Sequence, residues 1–118
     1  MKKVSINDIR KLKGSGQPFA TVTAYDYTSA RIVDNAGIPL ILVGDSAAMV
    51  VLGYDTPLPV TMDEMLMLTA AVCRGTKRAL GIADLPFMSY QASISDALHS
   101  AGKFIKKAGA SGVKLEGG

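Results

Sequence analysis

Leu40-Ile41-Leu42-Val43-Gly44-Asp45-Ser46 decides the fold of this chain. Four consecutive aliphatic residues form a continuous apolar run, as expected for a strand covered on both faces, the habit of parallel sheets. Gly37 and Pro39 stop a helix just before the strand, and Asp45 and Ser46 leave its far end with a carboxylate and a hydroxyl. Working outward, Asp26 caps the preceding helix, which runs to about Ala36. A strand rich in Thr and Val, Phe19 to Tyr25, comes before that helix. A first helix from Ser5 to Lys13 carries Ile6, Ile9 and Leu12 on one stripe, with Ser5 as its cap and Gly14 as its stop.

Downstream the alternation continues. Thr61-Met62-Asp63-Glu64 fits a capping box, in which Thr and Glu each satisfy an orphan backbone amide. Met62, Met65, Leu66, Leu68 and Val72 supply the apolar side of that helix, and Gly75 ends it. Arg78 to Ala83 reads as a third strand. Ser93 caps a further helix with Ala97, Leu98, Ala101, Ile105 and Ala108 on one face, ended by Gly109. Val113 to Leu115 begins a fourth strand. Ala36-Gly37 leading into ILVGD and Ala108-Gly109 leading into GVKLEGG form a weak repeat, consistent with repeating βα units. An N-terminal helix followed by β-α-β-α-β-α-β implies right-handed crossovers and a parallel sheet. The stretch Ser46 to Val60 is long for a βα connection, which usually takes ~2–6 residues. Its place at a strand's C-terminal end favours a lid over a site against a loop packed on itself.

The composition sets limits. At 118 residues, 48% hydrophobic and 19% charged, the chain is one domain of ordinary globular make-up. No apolar run approaches the ~18 residues of a membrane span, and no apolar signal core follows the N-terminal lysines. The single cysteine, Cys73, cannot form an internal disulfide; it fits a reducing cytoplasm and a buried, inert thiol. The net charge of +3 is mild. Lys2, Lys3, Arg10, Lys11 and Lys13 cluster near the start, but no aromatic is interleaved with them, so a solvated helix face is expected rather than a nucleic-acid arm.

Parallel α/β folds place their sites at the C-terminal ends of strands. Asp45 follows ILVG, Asp84 follows LGIA, and Glu116 closes VKLE. Three carboxylates at three strand ends converge on one mouth if the sheet curls. Hard oxygen ligands suit Mg²⁺, and no second His or Cys argues for zinc. Alternation places Lys114 on the same strand face as Glu116. A lysine inside a buried strand needs a partner, so it forms a structural ion pair with Glu116 or Asp84, or meets an anionic substrate beside the metal. Ser46 can add a hydroxyl or a backbone amide to the same ligand. Tyr25 and Asp26 end the first strand at that mouth, Asp26 as a helix cap. His99, mid-helix, is expected at the surface or its boundary.

The segments VTAYDYTSAR, LVGDSAAMVVLGYDTPLPVT, ADLPFMSYQAS and AGASGVKLEGG, taken in order, resemble ketopantoate hydroxymethyltransferases across nearly all of the chain. The departure is Ala47-Ala48, where that family usually has Leu-Gly. The resemblance implies a (β/α)₈ TIM barrel whose N-terminal end is plugged by a helix. This chain, residues 1–118, would supply that helix and the first four parallel strands with three crossover helices, the N-terminal half of one barrel domain. It implies hydroxymethyl transfer from 5,10-methylenetetrahydrofolate to 2-oxoisovalerate, giving ketopantoate for pantothenate and coenzyme A, through a Mg²⁺-stabilised enolate. By motif, Asp45, Asp84 and Glu116 would surround Mg²⁺. Asp45, Ser46, Asp84 and Lys114 would hold the keto acid.

The family's general-base glutamate comes from the second half, beyond Gly118, so no catalytic base is expected in this chain. A fragment or a barrel cut at its midpoint follows, cytoplasmic, inactive alone and prone to homo-oligomerise through open edges. The partners implied are a small keto acid and a folate, with no nucleic acid and no membrane. A small open α/β Mg²⁺-binding signalling module and a non-catalytic half-barrel are the competing expectations.

Overall fold

The computed structural model describes residues 2–116; Gly117 and Gly118, which complete the KLEGG motif, lie outside the described residues. Helix α1 (Ile6–Gly14) opens with a reciprocal box in which Ser5 Oγ accepts the Asp8 amide at 3.2 Å and Asp8 accepts the Ser5 amide at 2.9 Å. The segment before it is tied across the chain: the Val4 amide donates to the Arg78 carbonyl at 2.7 Å, and the Lys3 ammonium to the Ala79 carbonyl at 2.6 Å.

Strand β1 (Thr21–Thr23) is shorter than the Phe19–Tyr25 expectation. Its ladder with β2 (Leu40–Val43) covers only Thr21 to Thr23, extended by one bond from the Ala24 amide to the Leu42 carbonyl at 3.0 Å. Between them lies α2 (Tyr27–Asn35), capped by Asp26, which accepts the Ser29 amide at 2.7 Å. The long connection after β2 is not irregular throughout, because Ala47–Val50 form a short helix, α3, with Ala47 and Ala48 fully buried. Two methyl side chains therefore pack at the positions where the sequence departs from the resembled pattern. The Tyr54 amide donates to the Ala48 carbonyl at 2.8 Å and the Tyr54 hydroxyl to Glu64 at 2.8 Å, which fastens the segment to the next helix.

That helix, α4 (Met62–Gly75), begins at the expected box, with Thr61 Oγ1 accepting the Glu64 amide at 3.1 Å and Glu64 accepting the Thr61 amide at 2.9 Å. Met65, Leu68 and Val72 are its buried face. Cys73 on α4 is half-buried and free, and burial pushes its thiol up, as expected of an inert cysteine.

Strand β3 (Leu80–Asp84) is reached through a turn held by a group the sequence reading did not single out. Buried Asp34 on α2 accepts the amides of Lys77 at 2.9 Å, Arg78 at 3.1 Å and Ala79 at 2.7 Å. Desolvation would raise its pKa, but these donors outweigh it and hold the carboxyl below its usual value.

Helix α5 (Ile94–Lys106) and strand β4 (Gly112–Lys114) complete the chain. The expected inward face of α5 is corrected: Leu98 and Ile105 are 67% and 53% exposed, whereas Phe104 is fully buried. The inward stripe is Ala97, Ala101, Phe104 and Ala108, at helical spacing. Leu98 and Ile105, seven apart, share a different side, and the bulk of Phe104 decides the rotation. His99 is exposed, as expected.

All strands are parallel and their order is β1-β2-β3-β4. Successive right-handed crossovers stepping in one direction place the crossover helices α2, α4 and α5 on one face and start a closed barrel. An open signalling module of the doubly wound kind needs β1 between β2 and β3; here β1 is at the edge and β2 lies between β1 and β3, so that alternative fails. Ile41, Val43 and Ala83 are buried on the helix side, while Leu40, Leu42 and Ile82, one residue out of phase, are half-buried or close to it on the other. Gly112 belongs to that second set: a Cβ there would stand 2.9 Å from Ile82 Cδ1, so its absence makes room for the neighbouring side chain.

Candidate functional site

The register of the sheet builds the site. Asp84 and Lys114 are the last residues of their strands and are Cα partners across the β3–β4 ladder, so their side chains leave the sheet side by side. Gly44 and Asp45 follow directly on the end of the neighbouring strand, β2. A Cβ on Gly44 would lie 3.1 Å from Ser46 Oγ and 3.6 Å from Asp84 Oδ2, so a glycine keeps this corner open.

Asp84 is 4% exposed. Its Oδ2 accepts the Asp45 amide at 3.0 Å. Its Oδ1 is buried with no hydrogen-bond partner among the described residues, although the Lys114 ammonium stands 3.4 Å away at ion-pair range. Lys114 donates to Glu116 Oε1 at 3.0 Å. That bond, opposed by desolvation and helped by the charge of Asp84, raises the lysine above its ordinary pKa. The sequence reading placed Lys114 inside a buried strand, and this is corrected: its side chain is 45% exposed, because β4 is the edge strand of the described sheet. It is both paired and accessible.

One oxygen from each of Asp45, Asp84 and Glu116 lies within 4.8 Å of the other two. Burial, then the negative charges of Asp84 and Glu116, push the half-buried Asp45 carboxyl up, and Lys114 only partly offsets them. Three converging carboxylates that share the single ammonium of Lys114 make an acceptor-rich site short of positive charge. The set is all oxygen, which fits a hard divalent cation such as Mg²⁺.

Ser46 joins the same mouth through a hydrogen bond between its hydroxyl and that of Tyr25, at 2.8 Å. The sequence located Tyr25 at this end, but not its link to Ser46. Tyr90 escaped the reading altogether. Its hydroxyl bonds both backbone groups of Glu116, donating to the carbonyl and accepting the amide, the latter at 2.9 Å. No spacing signal marks it, because the contact spans 26 residues.

Beside the carboxylates is a cavity of about 300 Å³, walled by Asp45, Glu116, Pro57, Leu58, Phe87 and Tyr90. The long connection after β2 thus supplies one wall, through Pro57 and Leu58. A larger cavity of about 540 Å³ lies at the opposite end of the sheet, between α1 and the strand starts. Lys2, Lys3, Lys11 and Arg78 surround it, it is a gap under the plug helix, and the carboxylate cluster takes no part in it.

Fold and site together define half of a β/α-barrel protein with a carboxylate–lysine mouth at the C-terminal strand ends. Solved barrels superpose on it: phosphoenolpyruvate phosphomutase from Streptomyces platensis subsp. rosaceus (TM-score 0.74, 17% identity, 94% of this chain, 37% of that one), and oxaloacetate acetylhydrolase (TM-score 0.70, 18% identity, 98% of this chain, 40% of that one). At such identity the likeness speaks for the fold. The family model of ketopantoate hydroxymethyltransferase matches residues 3–118, and the chain belongs to that family. It is 55% identical over its whole length to the 3-methyl-2-oxobutanoate hydroxymethyltransferase of Carboxydothermus hydrogenoformans, and 57% identical over 117 residues to that of Thermobifida fusca. The chain spans 43% and 42% of those relatives.

Proposed function

We propose that this chain is the metal- and keto-acid-holding half of a barrel that transfers a hydroxymethyl group from 5,10-methylenetetrahydrofolate to 2-oxoisovalerate, forming ketopantoate. The observation that carries the reading is the buried Oδ1 of Asp84 within the three-carboxylate cluster, which among the described residues accepts no hydrogen bond and meets only the half-exposed Lys114 ammonium at 3.4 Å. A buried acceptor left unmatched is costly, and a cation at this point satisfies it.

Asp45, Asp84 and Glu116 would hold Mg²⁺, which, when bound, acts as a Lewis acid on a coordinated keto oxygen. Lys114, accessible and protonated, faces the substrate's carboxylate and keto oxygen and favours the state in which negative charge develops there. Ser46 Oγ, oriented by the Tyr25 hydroxyl, donates to the substrate carboxylate. Asp84 Oδ2 fixes the Asp45 amide and so the direction of the chain at the end of β2. The proton on C3 of 2-oxoisovalerate must leave before that carbon bonds to the folate-borne carbon, and the residue that takes it belongs to the other half of the barrel in this reading. The isolated chain therefore binds but turns over negligibly, since a general base is typically worth ~10²–10⁴-fold. The exposed edges β1 and β4 support self-association, and a cytoplasmic site of action accords with a free, inert cysteine. No described helix is long and apolar enough to cross a membrane.

A thermal-shift titration with 2-oxoisovalerate tests this, because a ligand that binds only the folded state raises the melting temperature. A rise that requires Mg²⁺ is expected. No rise, or the same rise in EDTA, contradicts the proposal. Exchange of the C3 proton in D₂O, followed by NMR, should stay at the solvent rate with the chain alone.

A further inference from the structure

We propose that Tyr90 is a positioning residue of this site, whose phenol clamps the backbone of Glu116 and so holds the glutamate's carboxylate among Asp45 and Asp84. The inference rests on the metal reading above. Glu116 lies two residues past the end of β4, and the pairing of β3 with β4 ends at Asp84 and Lys114. Beyond it, among the described residues, only the Leu85 amide reaches across, to the Lys114 carbonyl at 3.0 Å. Glu116 then has both its amide and its carbonyl on a single side-chain oxygen, that of Tyr90. Its own side chain is 66% exposed, so packing does little to orient it. With the backbone fixed, the carboxylate needs only its side-chain rotamer to meet the cluster, and Lys114 supplies that contact at 3.0 Å.

The loop that delivers Tyr90 is built for the purpose. Ser89 closes a turn on the Pro86 carbonyl, with its amide at 3.1 Å and its hydroxyl at 2.6 Å. Met88 within the turn has φ +66°, the positive-φ residue other than glycine among the described residues. A left-handed methionine is strained and persists where its surroundings over-determine it. The Ser100 hydroxyl of α5 donates to the Ser89 carbonyl at 2.7 Å and pins the turn to a helix. The reversal leaves Phe87 and Met88 exposed and brings Tyr90 back onto Glu116, with its ring as a wall of the 300 Å³ cavity. The chain thus runs from α5, through a strained turn, to a metal-ligand candidate.

Tyr90→Phe keeps the ring and removes the oxygen. Loss of a partner that orients a metal ligand typically costs ~10–100-fold in affinity. Titration of the chain with Mg²⁺ alone, followed by amide NMR shifts, should show at least that lower figure in the variant. Hydrogen exchange at the Glu116 amide should quicken about tenfold or more, with the melting temperature nearly unchanged. Tyr54→Phe, which removes a phenol oxygen bonded to Glu64 instead, should leave Mg²⁺ affinity intact. Unchanged Mg²⁺ affinity in a folded Tyr90→Phe chain overturns the positioning role. If the unaltered chain shows no response to Mg²⁺, the metal reading itself falls. The exchange rate then decides the clamp alone: faster exchange in the variant supports it and equal exchange overturns it.

Discussion

Replacing Lys114 by Met separates the two charges that the site must balance. The variant keeps the aliphatic stem and removes the ammonium that stands 3.0 Å from Glu116 Oε1 and 3.4 Å from Asp84 Oδ1. The two pairs differ in weight. Glu116 is mostly exposed, so its pair contributes about 0–1 kcal/mol. Asp84 is buried and its Oδ1 has no other partner, so losing the cation costs about 1–3 kcal/mol. For a chain of this length about 1 kcal/mol moves the melting temperature by roughly 4 °C, and without Mg²⁺ the variant should melt roughly 4–12 °C lower. Mg²⁺ should abolish most of that deficit, because it satisfies the same oxygen. Removing a neighbouring positive charge also strengthens Mg²⁺ binding, by on the order of 2 kcal/mol for a divalent ion about 4 Å away in a water-like dielectric, or roughly 30-fold in affinity. Affinity for 2-oxoisovalerate moves the opposite way: a lost charge-assisted bond of about 1.5–3 kcal/mol weakens it roughly 10–100-fold. Isothermal titration with Mg²⁺, then with the keto acid at saturating Mg²⁺, reads both. Keto-acid affinity unchanged in the folded variant would refute the substrate role and leave Lys114 as a tether for Glu116.

Two further predictions concern what holds the strand ends in place. Asp34→Ala strands the amides of Lys77, Arg78 and Ala79, and should cost about 3 kcal/mol, on the order of 10 °C in thermal melts; a change below about 2 °C contradicts the anchor role. Because the folded state lowers the Asp34 pKa from 3.8, its contribution is present above that value and lost as pH falls through the folded one. Acid titration of stability should therefore be flatter below pH 3.8 in Asp34→Ala than in the unaltered chain. Gly75→Ala would set a Cβ 2.6 Å from the Tyr27 carbonyl oxygen and 3.3 Å from Ala30 Cβ. The obstacle is backbone, so α2 and α4 must separate, at about 1–3 kcal/mol by urea denaturation.

Helix caps and the barrel's alternation were legible because they rest on local chemistry. Ser5, Asp26, Thr61 and Ser93 each cap the helix that follows them. Asp45, Asp84 and Glu116 were legible because a parallel sheet aims its strand ends at one mouth, and the register delivers Asp84 beside Lys114. What failed depended on contacts distant in sequence. The facing of α5 turned on Phe104 outweighing Leu98 and Ile105, which no count of apolar positions shows. Asp34, Tyr25 and Tyr90 act on groups 21 to 45 residues away, and each looks ordinary in its own segment. The burial assumed for Lys114 presumed a neighbour on both sides of β4, and the described sheet has one.

Isothermal titration of 2-oxoisovalerate into the chain and into Asp84→Asn, each with and without Mg²⁺, is the measurement nearest the central claim. Asp84 supplies the buried oxygen on which the metal and keto-acid reading depends. Binding that needs Mg²⁺ in the unaltered chain, and falls roughly 10–100-fold in a folded Asp84→Asn, is the predicted result. Equal keto-acid affinity in the two proteins, or binding indifferent to Mg²⁺, would contradict the account.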